Sequence, residues 1–307
     1  MNNILQNITV LILGSILLIA GCSHTPPRPL PAVIEQALTN NRDGIAFEQR
    51  GDSRRARKAF SESLRQSAAV EYTAGIVAAQ VSLARLDRRA GDLASATRRI
   101  EQARAQVDSN DPLRFDVAFE AALIALANKD IPTARRAAED AITAATAAQK
   151  GPALALHART LAADGEVNAA RQQAELALNR NRTEHHLAEA ANAARLLGDL
   201  ALGRDDLAAA ESYYQQALDF DHQAALSHRI ADDLRRLSTL SQQRQDIANA
   251  IAYRQRASDV SLNNYELTDA AADLALLAEL YRSQGDDERA ATAEALRQRL
   301  LTPAPTR

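Results

Sequence analysis

Cys22 is the only thiol in a chain of 307 residues, so any chemistry that needs sulfur is confined to one position. A lone cysteine cannot close an internal disulfide, and covalent modification is the chemistry left to it. The residues before it, Leu17-Leu18-Ile19-Ala20-Gly21, are apolar and then small. His185, His186, His222 and His228 are the side chains that could bind a metal. Zinc needs three or four converging ligands, and adjacent positions on a helix point apart, so these read as surface histidines and no metal is expected. The chain has no glycine-rich phosphate loop, no Gly-x-Ser-x-Gly elbow and no His-Glu-x-x-His pair. Acidic residues read as helix starts and outer faces, which leaves paired-carboxylate catalysis without support. Neither enzymatic activity nor a cofactor is expected. A net charge of −3 provides no basic field for nucleic acid.

The elements around Cys22 concern placement. Thirteen residues from Ile8 to Ala20 are apolar except Thr9, Gly14 and Ser15, the length of a signal-peptide core and short for a membrane span. Met1-Asn2-Asn3 supplies no Lys or Arg, and an uncleaved helix in the inner membrane is the alternative reading of this segment. From Ser23 to Pro31 four residues in nine are proline, which favours an extended tether. At about 3.1 Å per residue it would hold the folded part roughly 25–30 Å from the lipid surface. Residues 302–307 read as a frayed tail.

Between these ends lie the elements that must position any binding surface. Aromatics are 4% of the chain, tryptophan is absent and alanine is abundant, a composition for helices and not strands. An acid followed four positions later by alanine recurs as Asp52/Ala56, Asp92/Ala96, Asp130/Ala134, Glu166/Ala170, Asp206/Ala210, Asp246/Ala250 and Asp286/Ala290, in steps of 40, 38, 36, 40, 40 and 40. Twelve residues before each alanine stands a small residue: Gly44, Ala84, Ala122, Ala158, Gly198, Ser238 and Ala278. Seven after come Ser63, Ala103, Ala141, Ala177, Ala217 and Ala257, until Arg297 breaks the series. Antiparallel helices that pack closely need small residues where their axes approach. Gly51, Gly91, Gly165 and Gly285 precede the acid and supply the left-handed turn that ends one helix, after which the acid caps the next. Lys129, Asp205 and Gln245 stand in place of that glycine in the other units. Pro112 and Pro152 are read as beginning helices, and Pro132 as lying in a first turn. Tyr213, Tyr214 and Tyr253 fall on second helices and read as packing residues, with Tyr213 also a candidate contact for a partner.

The chain resembles the tetratricopeptide repeat (TPR) family on Leu197-Gly198 followed by Leu207, Ala210, Tyr214, Ala217 and Leu218, and on Gly44, Phe47, Gly51-Asp52, Ala56, Phe60 and Leu64. The resemblance covers roughly residues 32–301 and departs from the family in its period, near 40 instead of 34. It implies an all-α, right-handed superhelical solenoid of about seven helix-turn-helix repeats, with the first helix of each pair lining a concave wall. The family pattern aims Arg85, Arg88, Arg89, Phe119, Leu123, Arg159, Asn192, Arg195, Arg235, Gln242 and Arg282 inward. Such a wall would pair carboxylates of an extended acidic peptide or a chain terminus. The alternative is a solvated face neutralised by Asp116, Asp199, Asp232 and Glu279.

Leu17 to Cys22 also looks like the lipobox of a bacterial lipoprotein, which implies cleavage after residue 21, diacylglycerol on Cys22 and stable anchoring. Ser23 after the cysteine implies sorting to the outer membrane. The expected organisation is a signal peptide over 1–21, a lipidated tether over 22–31 and repeats over 32–301. Together the resemblances imply a scaffold or adaptor for envelope proteins, such as a secretin or pilus machine, cell-wall synthesis or export. A periplasmic holdase or polysaccharide-export component is the alternative, and an enzyme built across repeats a remote one.

Overall fold

The computed structural model describes residues 30–302, among which every regular element is an α-helix. Cys22, the apolar segment before it and the tether up to Pro29 lie outside the described residues. Among the described residues fourteen helices form seven hairpins. The first three are α1 (Ala32–Gln49) with α2 (Ser53–Ala69), α3 (Thr73–Arg89) with α4 (Leu93–Arg104), and α5 (Arg114–Ala127) with α6 (Ile131–Ala144). Then come α7 (Lys150–Ala163) with α8 (Val167–Thr183) and α9 (Leu187–Leu202) with α10 (Leu207–Gln223). The last two are α11 (Ser227–Gln243) with α12 (Ile247–Asn263), and α13 (Leu267–Ser283) with α14 (Asp287–Leu301). Each helix packs against its neighbours in the chain, as in a stacked repeat array. Helix length sets the period: α4 to α7 have 12–14 residues where the spacing shortens, and α8 to α13 have 16–17 where it returns to 40. No described helix is long and apolar enough to cross a membrane.

The small residues in register are the contact points of each hairpin. Ala56, Ala96, Ala134, Ala170, Ala210 and Ala250 are fully buried, as are Ala84, Ala122, Ala158 and Ser238 opposite them. At Gly44 a Cβ would stand 2.5 Å from Phe60 Cε1, and at Gly198 it would meet the Tyr214 ring. Phe60 and Tyr214 each stand four residues after the second-helix alanine, so the first helix must be bare where an aromatic ring fills the hairpin.

Helix starts follow the acid series with one correction. Asp52, Asp92, Asp130, Asp206, Asp246 and Asp286 each accept from the backbone N–H three residues on, satisfying an orphan donor. Glu166 holds the same position without a capping bond, and its longer side chain is drawn to the Arg135 guanidinium. Pro112 lies two residues before α5, and Pro152 is the third residue of α7.

At the turns within hairpins, Lys129, Asp205 and Gln245 adopt φ of 59–60°, the left-handed conformation that glycine provides elsewhere. The turns between hairpins use it too, with Glu71, His185, Ala225 and Tyr265 at φ of 53–60°. Each such turn closes with a bond back over five residues, as from Leu226 N–H to the Asp221 carbonyl at 3.0 Å.

Candidate functional site

The first helices of the middle repeats, α5, α7, α9 and α11, together line an open groove of about 520 Å³. Phe119, Arg159, Asn192 and Arg195 meet there. Arg235 lines an adjoining hollow of about 460 Å³, which shares Asp199, Asp232 and Arg236 with the first. Gln242 and Arg282 line neither, being half-buried and exposed respectively. Arg85, Arg88 and Arg89 stand nearer the N-terminus on α3, and half-buried Leu123 packs into the core of α3 to α7.

Most of these arginines are engaged within the fold. Arg85 lies 3.4 Å from Glu48 and 3.7 Å from Glu120, Arg88 lies 2.6 Å from Glu120, and Arg89 lies 2.9 Å from Glu48. Arg195 reaches from α9 to Asp233 on α11 at 2.9 Å and also pairs with Asp221 on α10, while its Nη1 donates to Asn192 at 3.0 Å. Forty residues on, Arg235 repeats the reach to Asp273 on α13 at 2.9 Å and donates to Ser261 on α12 at 2.7 Å. These arms cross between repeats. The backbones of α1, α3, α5, α7 and α9 approach one another in succession, whereas α11 and α13 make no comparable approach. Arginine side chains span that interval.

The carboxylates that neutralise the wall are largely not those read from the sequence. Of the four, Asp232 pairs with Arg235 at 2.9 Å and Asp199 with Arg236, while Asp116 and Glu279 pair with no arginine among the described residues. The principal partners are buried: Glu120, Asp221, Asp233 and Asp273 are each at most 2% exposed. This corrects the reading of acids as helix starts and outer faces. Asp87 is another, held 2.5 Å from Arg57 and 2.7 Å from Arg99. Buried carboxylates survive in the fold because each is met by at least one guanidinium.

Burial and neighbours tune several groups. Loss of water pushes the Asp233 carboxyl up to about 7 against the pull of Arg195, and nearby Asp221 adds to the rise. Burial likewise raises Asp116, opposed by Arg85. The Tyr214 hydroxyl donates to Asp199 at 2.7 Å, and burial and then that bond raise its pKa. Arg159 is lowered, first by loss of water within the concave curve and then by Arg88, although its side chain remains open to solvent at the surface.

No protein-family model matches the chain, and no curated protein matches it. Among solved structures, the array is similar over 87% of its length to a signal-transduction ATPase from Pyrococcus horikoshii with a tetratricopeptide repeat sensor (TM-score 0.64, 15% identity, 41% of that chain). The fold is a TPR solenoid. A Rap protein complexed with Competence and Sporulation Factor is similar over 87% of this chain and 76% of its own (TM-score 0.59, 11% identity). BtubC from P. vanneervenii is similar over 70% and 94% (TM-score 0.57, 21% identity). At these identities the likeness establishes the fold.

Within the TPR groove, sequence reasoning missed Pro152, Ala155, Glu189, Leu196, Arg229 and Arg236. Arg229 donates to the Ala188 carbonyl at 3.2 Å. Their signal lay in the repeat itself: Pro152 and Asn192 are in register, as are Ala155 and Arg195, and Leu196 and Arg236. His228 also faces the groove, whereas His185 and His222 are exposed and His186 is the residue before α9. Tyr213 packs half-buried against the α7 to α10 core, and Tyr253 against that of α9 to α12.

Proposed function

We propose that the chain is an outer-membrane lipoprotein whose TPR solenoid is a protein-protein interaction scaffold for an envelope assembly machine. The observation that carries the binding part is the open groove of about 520 Å³ across four successive first helices, lined by charged, polar and apolar side chains. TPR proteins serve in general as interaction modules, and the similar Rap protein is complexed with Competence and Sporulation Factor. The mixed lining favours a defined partner over indiscriminate holding of unfolded clients, which a continuous apolar surface would serve better.

Anchoring rests on Cys22 and the residues before it. Two acyl chains from a glyceride and a third on the new amine exceed the two-signal threshold for a stable anchor, and the proline-rich tether would set the working height. Fixing a solenoid beside membrane-embedded partners raises its effective concentration toward them, so several modest contacts give useful affinity.

Labelling cells with fatty acid and fractionating the wild type and Cys22→Ala tests the anchor. The wild type is expected to take up label and sediment with the outer membrane, and the variant to lose both. An unlabelled wild type that partitions with neither membrane refutes the lipoprotein reading. In-cell crosslinking from Asn192 and Phe119 tests the scaffold and is expected to trap envelope proteins. Crosslinks arising only from the convex face would move the binding surface elsewhere.

A further inference from the structure

Arg159 and Arg85 hold the same place in their repeats, one residue after the small residue of the first helix, Ala158 and Ala84. Arg85 is met by two carboxylates, Glu48 at 3.4 Å and Glu120 at 3.7 Å. Glu48 stands four residues after the small residue of the preceding repeat, Gly44, and Glu120 two before that of the following one, Ala122. The same offsets counted from Ala122 and Gly198 fall on Leu126 and Leu196. Both positions that supply carboxylate to Arg85 are therefore leucine around Arg159. Arg159 makes no ion pair among the described residues, and the nearby cation Arg88 adds to the lowering of its pKa.

The fourth repeat is also emptied of the side chains that fill the wall beside it. Ala155 stands where repeats five and six place Arg195 and Arg235, and Pro152 where they place Asn192 and Asp232. The open groove of about 520 Å³ lies over these truncations, with Phe119, Arg159 and Leu196 among the residues that line it. A guanidinium partly stripped of water and flanked by apolar groups gains most from a bidentate carboxylate. Glu189, Asp199 and Asp232 also line the groove and disfavour an anion close to them. The groove runs on past Asp199 and Arg236 into the adjoining hollow, so a chain can continue beyond Arg159 instead of ending there.

We propose that the fourth repeat is a seat for the acidic side chain of an extended partner segment, with Arg159 receiving its carboxylate and Phe119, Ala155 and Leu196 receiving an adjacent apolar side chain. The inference rests on the reading of the wall as a protein-binding groove. It adds the chemical class of the partner and the repeat that reads it.

The test uses the full chain in detergent and three short fluorescent peptides: one alternating leucine and glutamate with both ends blocked, the same with glutamine for glutamate, and the glutamine peptide with a free C-terminal carboxylate. Anisotropy titration is expected to give the glutamate peptide about a tenfold tighter Kd than the blocked glutamine peptide. Arg159→Gln should erase that preference. So should Leu196→Glu, which supplies the carboxylate internally as Glu120 does for Arg85. If Leu196→Glu fails to fold, the exposed Arg159→Gln carries the same comparison. Equal binding of the two blocked peptides, binding of none, or preference only for the free terminus overturns the proposal. Loss of peptide selectivity with crosslinking to envelope proteins intact removes the seat and leaves the scaffold; the reverse result removes the scaffold and leaves the seat.

Discussion

The junctions between repeats five and six and between repeats six and seven place an arginine at the same position and surround it with opposite charge. At the first, Arg195 faces two buried carboxylates, Asp221 and Asp233. At the second, Ser261 replaces the first of these and buried Arg254 lies 3.0 Å from Asp273, so two guanidiniums share one buried carboxylate, with Asp232 at the solvent rim. The exchange extends into the hairpins. Arg254 stands where repeat five has Tyr214, and Ser238, to which Arg254 Nε donates at 3.4 Å, stands where repeat five has Gly198. One geometry is thus built twice, once with two buried carboxylates to one guanidinium and once with one buried carboxylate to two guanidiniums. The two junctions should respond differently to the same substitution.

The largest contrast is expected from equivalent aspartates. Asp273→Asn leaves Arg235 and Arg254 without their shared buried charge and should cost about 3–5 kcal/mol, whereas Asp233→Asn leaves Arg195 paired with Asp221 and should cost less than about 1 kcal/mol near pH 7.5. Urea denaturation followed by circular dichroism measures both, and equal losses would erase the distinction between the junctions. Arg195→Met strands two carboxylates and is expected to cost about 3 kcal/mol near neutrality, with partial recovery at pH 5 where Asp233 takes up a proton. A loss independent of pH would mean that the carboxyls find another partner.

The next effect is sterically driven. Gly198→Ala drives a methyl group into the Tyr214 ring and should cost about 1–3 kcal/mol. Ser238→Ala removes only a hydroxyl that donates to the Ala250 carbonyl at 2.8 Å and accepts from Arg254, so about 1 kcal/mol is expected. Melting temperatures in the same order would support this division, and reversed order would refute it.

The last contrast is pH dependence. Asp233 is raised in the fold from the ordinary 3.8 to about 7, so its contribution is complete below pH 4 and is lost as pH climbs through 7. The exposed caps Asp92, Asp130, Asp246 and Asp286 act in the opposite sense. Hydrogen bonds from the residue three positions on hold their carboxyls below the ordinary value, and their contribution fades as pH falls. The informative quantity is therefore the wild-type profile minus that of Asp233→Asn between pH 4.5 and 7.5, expected to decline by about 3 °C or more in melting temperature. A flat difference would show that Asp233 is ionised throughout.

The repeated architecture could be read from the chain because it depends on what every unit must keep: small residues at the helix crossing and an acid at the second helix start. Those constraints are local and recur, so coincidence is averaged away. The wall was less legible because each arginine's fate depends on a residue in another repeat. Asp233 and Asp273 lie two residues before Arg235 and Ala275 on their helices, a place that reads as an outer face until the preceding repeat's arginine reaches across to it. Arg195 and Arg235 fall on the wall by repeat position, yet their guanidiniums turn into the junctions. Glu71, His185, Ala225 and Tyr265 escaped notice because the left-handed turns they make carry no glycine to announce them.

The change from touching inner helices to arginine-spanned ones also changes what resists opening of the concave edge. Stretching the solenoid at its N-terminal end must peel apolar helix faces apart, exposing surface that water solvates poorly. Stretching it past α9 also parts buried guanidinium–carboxylate pairs, alongside the apolar faces that α10 and α12 share with α11 and α13. The inner edge of the C-terminal junctions is therefore held by directional pairs in place of helix contact. A load that opened the concave edge would meet directional, pH-dependent contacts where α11 joins the groove and apolar contacts where α5 and α7 do.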